Sequence, residues 1–130
     1  MYIFTLVTDV QKAVEELRSQ FGDLKLAMLY NSALDASSNW NLIISSDWTD
    51  RMGIAQATKV IAKQLYEFLD LEKRPAIARV TVLKTTDAFV RDMTQLYPVL
   101  NGGVPLQQIT AGGITEGAGF VFYSQPEIAV

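Results

Sequence analysis

Two pairs of polar residues have types and spacing that could do chemistry. Asp47 and Asp50 flank Trp48 in the run Ser46-Asp47-Trp48-Thr49-Asp50. Two carboxylates this close could hold Mg²⁺, which takes oxygen ligands. The same run also suits a turn, with Thr49 or Asp50 as N-cap of the helical pattern that follows, and the spacing favours that use. The second pair is Asn39 and Asn41. Alternate residues of an extended chain share a face, so with Asn31 and Ser32 these two form a set of neutral amides and hydroxyls. All four are expected at strand ends lining one crevice, where ligands of open α/β sheets bind. The predicted ligand-binding set is therefore Asn31, Ser32, Asn39, Asn41, Asp47 and Asp50, with no catalytic residue, no metal ligand and no cofactor.

The run Gly112-Gly113-Ile114-Thr115-Glu116-Gly117-Ala118-Gly119 is glycine-rich. Glycines let backbone N–H groups approach a phosphate. The run is neither a P-loop nor a dinucleotide fingerprint, because no Lys follows and the next segment reads as strand. A hairpin loop using glycine for positive φ is the simpler use. Trp40 could stack on a base or sugar, and Tyr97, Phe120, Phe122 and Tyr123 could line a pocket, but core packing or an interface suits them better.

Composition narrows the chemistry further. The chain has no cysteine and no histidine. Disulfides, thiolate nucleophiles and cysteine–zinc sites are excluded, as are the Ser–His pair and the commonest general base. The net charge is −3. The nearest thing to a basic cluster is Lys73-Arg74, too little for the clustered phosphate contacts of nucleic-acid binding. The start, Met1-Tyr2-Ile3-Phe4-Thr5-Leu6-Val7, is apolar but short, lacks a basic flank and is broken by Thr8-Asp9. It predicts neither a leader nor a membrane span, and a cytoplasmic chain is expected.

The elements that must position these residues follow from periodicity. Met1 to Val7 reads as a buried first strand or as the lead-in to a helix. Thr8 and Gln11 have capping-box spacing, and Val10, Val14, Leu17 and Phe21 repeat helically until Gly22. Leu24 to Tyr30 is a strand whose near-continuous apolarity predicts burial on both faces. Trp40 to Ser45 is a second strand. Ile54, Ala57, Ile61, Leu65 and Leu69 mark a long amphipathic helix, with Lys59, Lys63 and Glu67 off its stripe. Ala76 to Leu83 is a third strand, then Thr85-Thr86-Asp87 caps a helix carrying Phe89, Val90, Met93 and Leu96 inward, stopped by Pro98. Leu106 to Thr110 and Gly119 to Tyr123 read as strands around the glycine-rich loop. At 130 residues this is the size of one α/β domain, with 1–97 as core and 98–130 as loop and hairpin. The expected fold is a mixed sheet of roughly four to six strands flanked by helices. The alternative is a ferredoxin-like βαββαβ arrangement, which requires Met1 to Val7 to be a strand.

One stretch carries a family likeness. A strand ending in Tyr30-Asn31-Ser32 is followed, after a short polar loop, by Ser38-Asn39-Trp40-Asn41-Leu42-Ile43-Ile44, with a helix on either side. This resembles the minimal core of the polymerase-beta-type nucleotidyltransferase superfamily. There the first strand ends in Gly-Ser, the second opens Ser-Asp-x-Asp-Leu, and a third carboxylate comes from the next strand. The two aspartates hold Mg²⁺ for phosphoryl transfer. Here Asn31 stands at the glycine position and Ser32 is kept. Asn39 and Asn41 stand at the aspartates, and Arg79 and Thr81 are the only polar residues of the third strand. Amides bind Mg²⁺ poorly because they lack the charge that offsets stripping its water. The resemblance implies a non-catalytic module of this fold, without the metal site, that binds a nucleotide or a protein partner. Two other functions suit the residues: a small-molecule or nucleotide-binding enzyme using the carboxylates of the 47–50 turn, and a structural homo-oligomer.

Overall fold

The computed structural model describes residues 3–31, 40–99, 104–106 and 118–125. Four helices, α1 (Ile3–Phe21), α2 (Asp47–Met52), α3 (Ile54–Phe68) and α4 (Ala88–Leu96), accompany five strands. The strands are β1 (Leu26–Asn31), β2 (Trp40–Ser45), β3 (Ile77–Val82), β4 (Val104–Leu106) and β5 (Ala118–Ser124). They form one mixed sheet in the order β3-β2-β1-β5-β4. β2 and β3 run parallel, and the β1–β2, β1–β5 and β4–β5 pairs are antiparallel. The fold class is the expected one, helices on a mixed sheet.

Alternation along the strands divides the core between two faces. Ala27 and Leu29 of β1 and Trp40, Leu42 and Ile44 of β2 face α1 and α3. Leu26, Met28, Tyr30 and Ile43 face α4 through Phe89, Val90 and Met93. β1 is buried throughout, as its continuous apolarity predicts. Burying a side chain such as Leu42 or Ile61 stabilises the fold by about 1.5–3 kcal/mol.

Five sequence expectations are corrected. Ile3 to Val7 are helical, so the ferredoxin-like alternative falls. The physical reason is that Leu6, Val10, Ala13 and Leu17 all reach the core at spacings of three and four, so the apolar stripe runs upstream of Thr8. Thr8 is exposed inside α1 and opens no helix. Thr49 and Asp50 lie within α2, and the cap is Ser46. Its hydroxyl accepts from Thr49 N–H at 3.1 Å, while Thr49 Oγ1 accepts from Ser46 N–H at 3.0 Å. Gly53, at φ +94°, breaks the chain between α2 and α3, a conformation that glycine adopts without Cβ strain. Leu96 is 60% exposed and Ile54 is 52% exposed. Both sit at helix ends, where periodicity marks a face without marking how far the underlying sheet extends.

Other features match. Gly22, at φ +119°, closes α1 with its N–H on Arg18 O at 3.0 Å. Asp87 caps α4 through Phe89 N–H at 2.8 Å. The glycine-rich segment up to Gly117 lies outside the described residues, as do residues 107–110 of the strand expected over Leu106 to Thr110; Leu106 itself ends β4, which begins earlier than expected, at Val104. Ala118 and Gly119 belong to β5. A Cβ on Gly119 would lie 2.3 Å from Leu29 O, so only glycine allows β5 this close to β1. No helix among the described residues is long and apolar enough to cross a membrane.

Candidate functional site

Antiparallel pairing brings the end of β1 and the start of β2 together, so Asn31 and Asn41 share one end of the sheet. Strand parity then separates them. Asn31 follows Ala27 and Leu29 onto the face covered by α1 and α3, and it is only 2% exposed. Asn41 follows the parity of Ile43 onto the α4 face. Two of the predicted residues thus share an end without sharing a crevice wall. Ser32 and Asn39 lie outside the described residues.

Asn41 sits in a polar row across three strands, opposite Tyr30 on β1 and Arg79 on β3. Thr81 Oγ1 donates to Asn41 Oδ1 at 2.9 Å. That bond directs the amide oxygen to the Thr81 side chain, and the amide NH₂ is the donor that the residue adds to the row. Arg79, exposed on the edge strand, has no salt bridge among the described residues. The row is therefore weighted toward hydrogen-bond donors, which suits an anionic or carbonyl-bearing ligand. It does not fit Mg²⁺, which needs several oxygen ligands and carboxylate charge: the row offers a neutral amide oxygen that already accepts from Thr81, and β3 carries no acid. Arg79 and Thr81 were visible in the sequence only as the polar residues of an apolar strand. Their meeting with Asn41 depends on strand order.

Asp47 and Asp50 lie beyond the opposite end of β2. Six residues at roughly 3.3 Å each put about 17–20 Å between the two ends. The Asp50 carboxylate accepts from Thr85 O–H at 2.6 Å and from Thr85 N–H at 3.3 Å. It fastens α2 to the turn between β3 and α4. Asp47 is exposed in the first turn of α2, where a negative charge suits the helix dipole. The cleft beside Asp50, lined by Gly53, Ile54, Leu83 and Lys84 among others, holds about 50 Å³. That admits a water molecule, whereas small-molecule sites need about 300 Å³ or more. Among the described residues no group of three His, Cys, Asp or Glu side chains could hold a metal ion.

Two further polar features have no local sequence signal. Tyr123 O–H donates to Glu15, and the Arg18 guanidinium lies 5.2 Å from the centre of the Tyr123 ring while pairing with Asp23 at 3.2 Å. Burial, then the Glu15 bond, push the Tyr123 phenol above its ordinary value, against the pull of Arg18. Glu15 also lines an open depression of about 640 Å³ on the outer side of α1, with Thr8, Lys12, Glu16, Ser19 and Phe68. None of the predicted site residues reaches it. Trp40 is 2% exposed and packs on Phe120, with ring centroids 6.1 Å apart, so it is a core residue.

No protein-family model matches the chain, and no curated protein or solved structure matches it.

Proposed function

We propose that the chain is a non-catalytic binding module of nucleotidyltransferase-like design, in which the metal site has given way to a donor-rich row without a carboxylate. The Thr81–Asn41 hydrogen bond carries this reading. It occupies one of the two lone pairs of a neutral amide oxygen at a position where the resemblance expects a metal-binding carboxylate. The order helix, strand, strand, helices, strand from α1 to β3 supports it as well. Use of the 47–50 carboxylates by an enzyme is the weaker reading, because Asp50 is engaged by Thr85.

Thermal-shift titration with ATP and with GTP, each with and without Mg²⁺, tests the proposal. The expected result is a nucleotide-induced rise in Tm that Mg²⁺ leaves unchanged and that Asn41→Ala abolishes. A rise that requires Mg²⁺ would overturn the metal-free site. The absence of any nucleotide effect would leave protein partners as the remaining class of ligand.

A further inference from the structure

The two edges of the sheet differ in how they are protected. β4 contains Pro105, which has no N–H to offer. Prolines are a common defence against edge-to-edge pairing. β3 is six residues long, has no proline within it and lies at the other edge. Leu83 N–H bonds to Ile44 O at 3.0 Å. In a parallel ladder the residues that bond to a neighbour alternate along the strand. Thr81 therefore turns its backbone groups to β2, and Val80 and Val82 turn theirs outward. No strand lies beyond β3 among the described residues.

The charge of this edge is also distinctive. From Lys73 to Lys84 the sequence carries four cationic residues and no acid, in a chain of net charge −3. Lys73 is neutralised by Asp9, and Arg74 is held by the carbonyls of Leu69 and Tyr66. Arg79 and Lys84 are exposed and make no salt bridge among the described residues. A second copy pairing here would set one basic segment against another. An extended acidic segment would meet the outward backbone groups, those of part-exposed Val80 more openly than those of Val82 at 5% exposure, together with the two cations that make no salt bridge among the described residues.

We propose that the β3 edge is a docking site for an extended, acidic peptide segment of a partner protein. The segment adds to the sheet as a sixth strand, in the manner of β-strand addition. Main-chain bonds to Val80 and Val82 supply affinity, and Arg79 with Lys84 selects acidic side chains. This surface shares Arg79 with the Asn41 row but uses the outward backbone of β3, and it does not rest on nucleotide binding.

The test uses a fluorescein-labelled peptide of alternating Glu and Val, with its Lys/Val counterpart as control. Fluorescence anisotropy at low salt measures binding, and residue-resolved hydrogen exchange measures protection. The acidic peptide is expected to bind and to slow exchange at Val80 and Val82, and the basic peptide is not. Val80→Pro removes one outward N–H and is expected to weaken binding about tenfold or more. Arg79→Glu keeps every backbone group and is expected to shift preference toward the basic peptide, so the idea survives if the proline variant fails to fold. The proposal is overturned by no binding of the acidic peptide, by protection elsewhere, or by equal binding of both peptides. Protection of Val80 and Val82 in a peptide-free dimer would assign the edge to a second copy and overturn it too.

Discussion

Ser45 and Ser124 form a matched pair that can test the packing of the sheet. Both are 0% exposed, and both lie directly across from Leu26, one on each side of β1. Ser124 Oγ donates to Met93 O at 3.1 Å, whereas Ser45 Oγ has no partner among the described residues. Leaving a buried hydroxyl unsatisfied costs about 1–3 kcal/mol. Replacing Ser45 with Ala removes that penalty and gives up only the contacts of one oxygen, at roughly 0.1–0.2 kcal/mol each. The net expectation is stabilisation by about 1 kcal/mol. The same substitution at Ser124 deletes a hydrogen bond worth about 1 kcal/mol. Met93 O keeps its bond from Tyr97 N–H at 2.9 Å, so no orphaned carbonyl adds to the loss. With an unfolding entropy of about 2.1 cal/mol/K per residue and 130 residues, 1 kcal/mol corresponds to about 4 °C in Tm. Ser45→Ala should melt about 4 °C higher than the parent and Ser124→Ala about 4 °C lower. Calorimetry reads both, and urea melts with unchanged slope show that the denatured state is the same. If Ser45→Ala falls as far as Ser124→Ala, the Ser45 hydroxyl is satisfied and the reasoning fails.

Other perturbations follow from contacts elsewhere in the fold. Gly119→Ala places a Cβ against Leu29 O and should cost about 3 kcal/mol or more by forcing β5 off β1; a urea midpoint equal to the parent's would contradict the β1–β5 register. Tyr123 is protonated more readily folded than unfolded, through burial and then Glu15. Its contribution is fully present below pH of about 10 and is lost as pH rises through the folded value. The parent should therefore lose stability above that pH more steeply than Tyr123→Phe, and parallel curves would refute the assignment. Thr85→Val and Asp50→Asn, combined in a double-mutant cycle, should show a coupling of about 0.5–1.5 kcal/mol from their shared hydrogen bond; additive losses would detach α2 from the β3–α4 turn.

Much of the fold was legible because it depends on local pattern. The stripe Ala57, Ile61, Leu65 needs only a period of 3.6, and the burial of β1 on both faces shows as unbroken apolarity. The start of α1 was misread because Thr8, Asp9 and Gln11 imitate a cap, and a capping motif carries no information on whether the preceding residues are already helical. The site was less legible. Asn31 and Asn41 look equivalent in sequence, yet antiparallel pairing gives them opposite parity, so one faces α1 and α3 and the other faces α4. The partners that define Asn41 lie on β3, and those that define Tyr123 lie on α1. Contacts across such distances in sequence leave no trace in spacing.

Arg79 links the two surfaces proposed for this chain, and its position shows how to separate them. It stands opposite Asn41 in the polar row and also lies on the open strand. Its charge favours an anion at either place, so loss of binding in Arg79→Glu alone would not say which surface was used. The neighbouring residues do. Asn41→Ala removes the amide of the row and touches no outward backbone group. Val80→Pro removes an outward N–H and, on the opposite face of β3 to Arg79 and Thr81, leaves the row intact. A ligand sensitive to Asn41 and Arg79 but not to Val80 occupies the row. One sensitive to Val80 and Arg79 but not to Asn41 occupies the edge. Sensitivity to all three would mean that a single acidic segment pairs with β3 and places a side chain over Asn41, uniting the two surfaces into one.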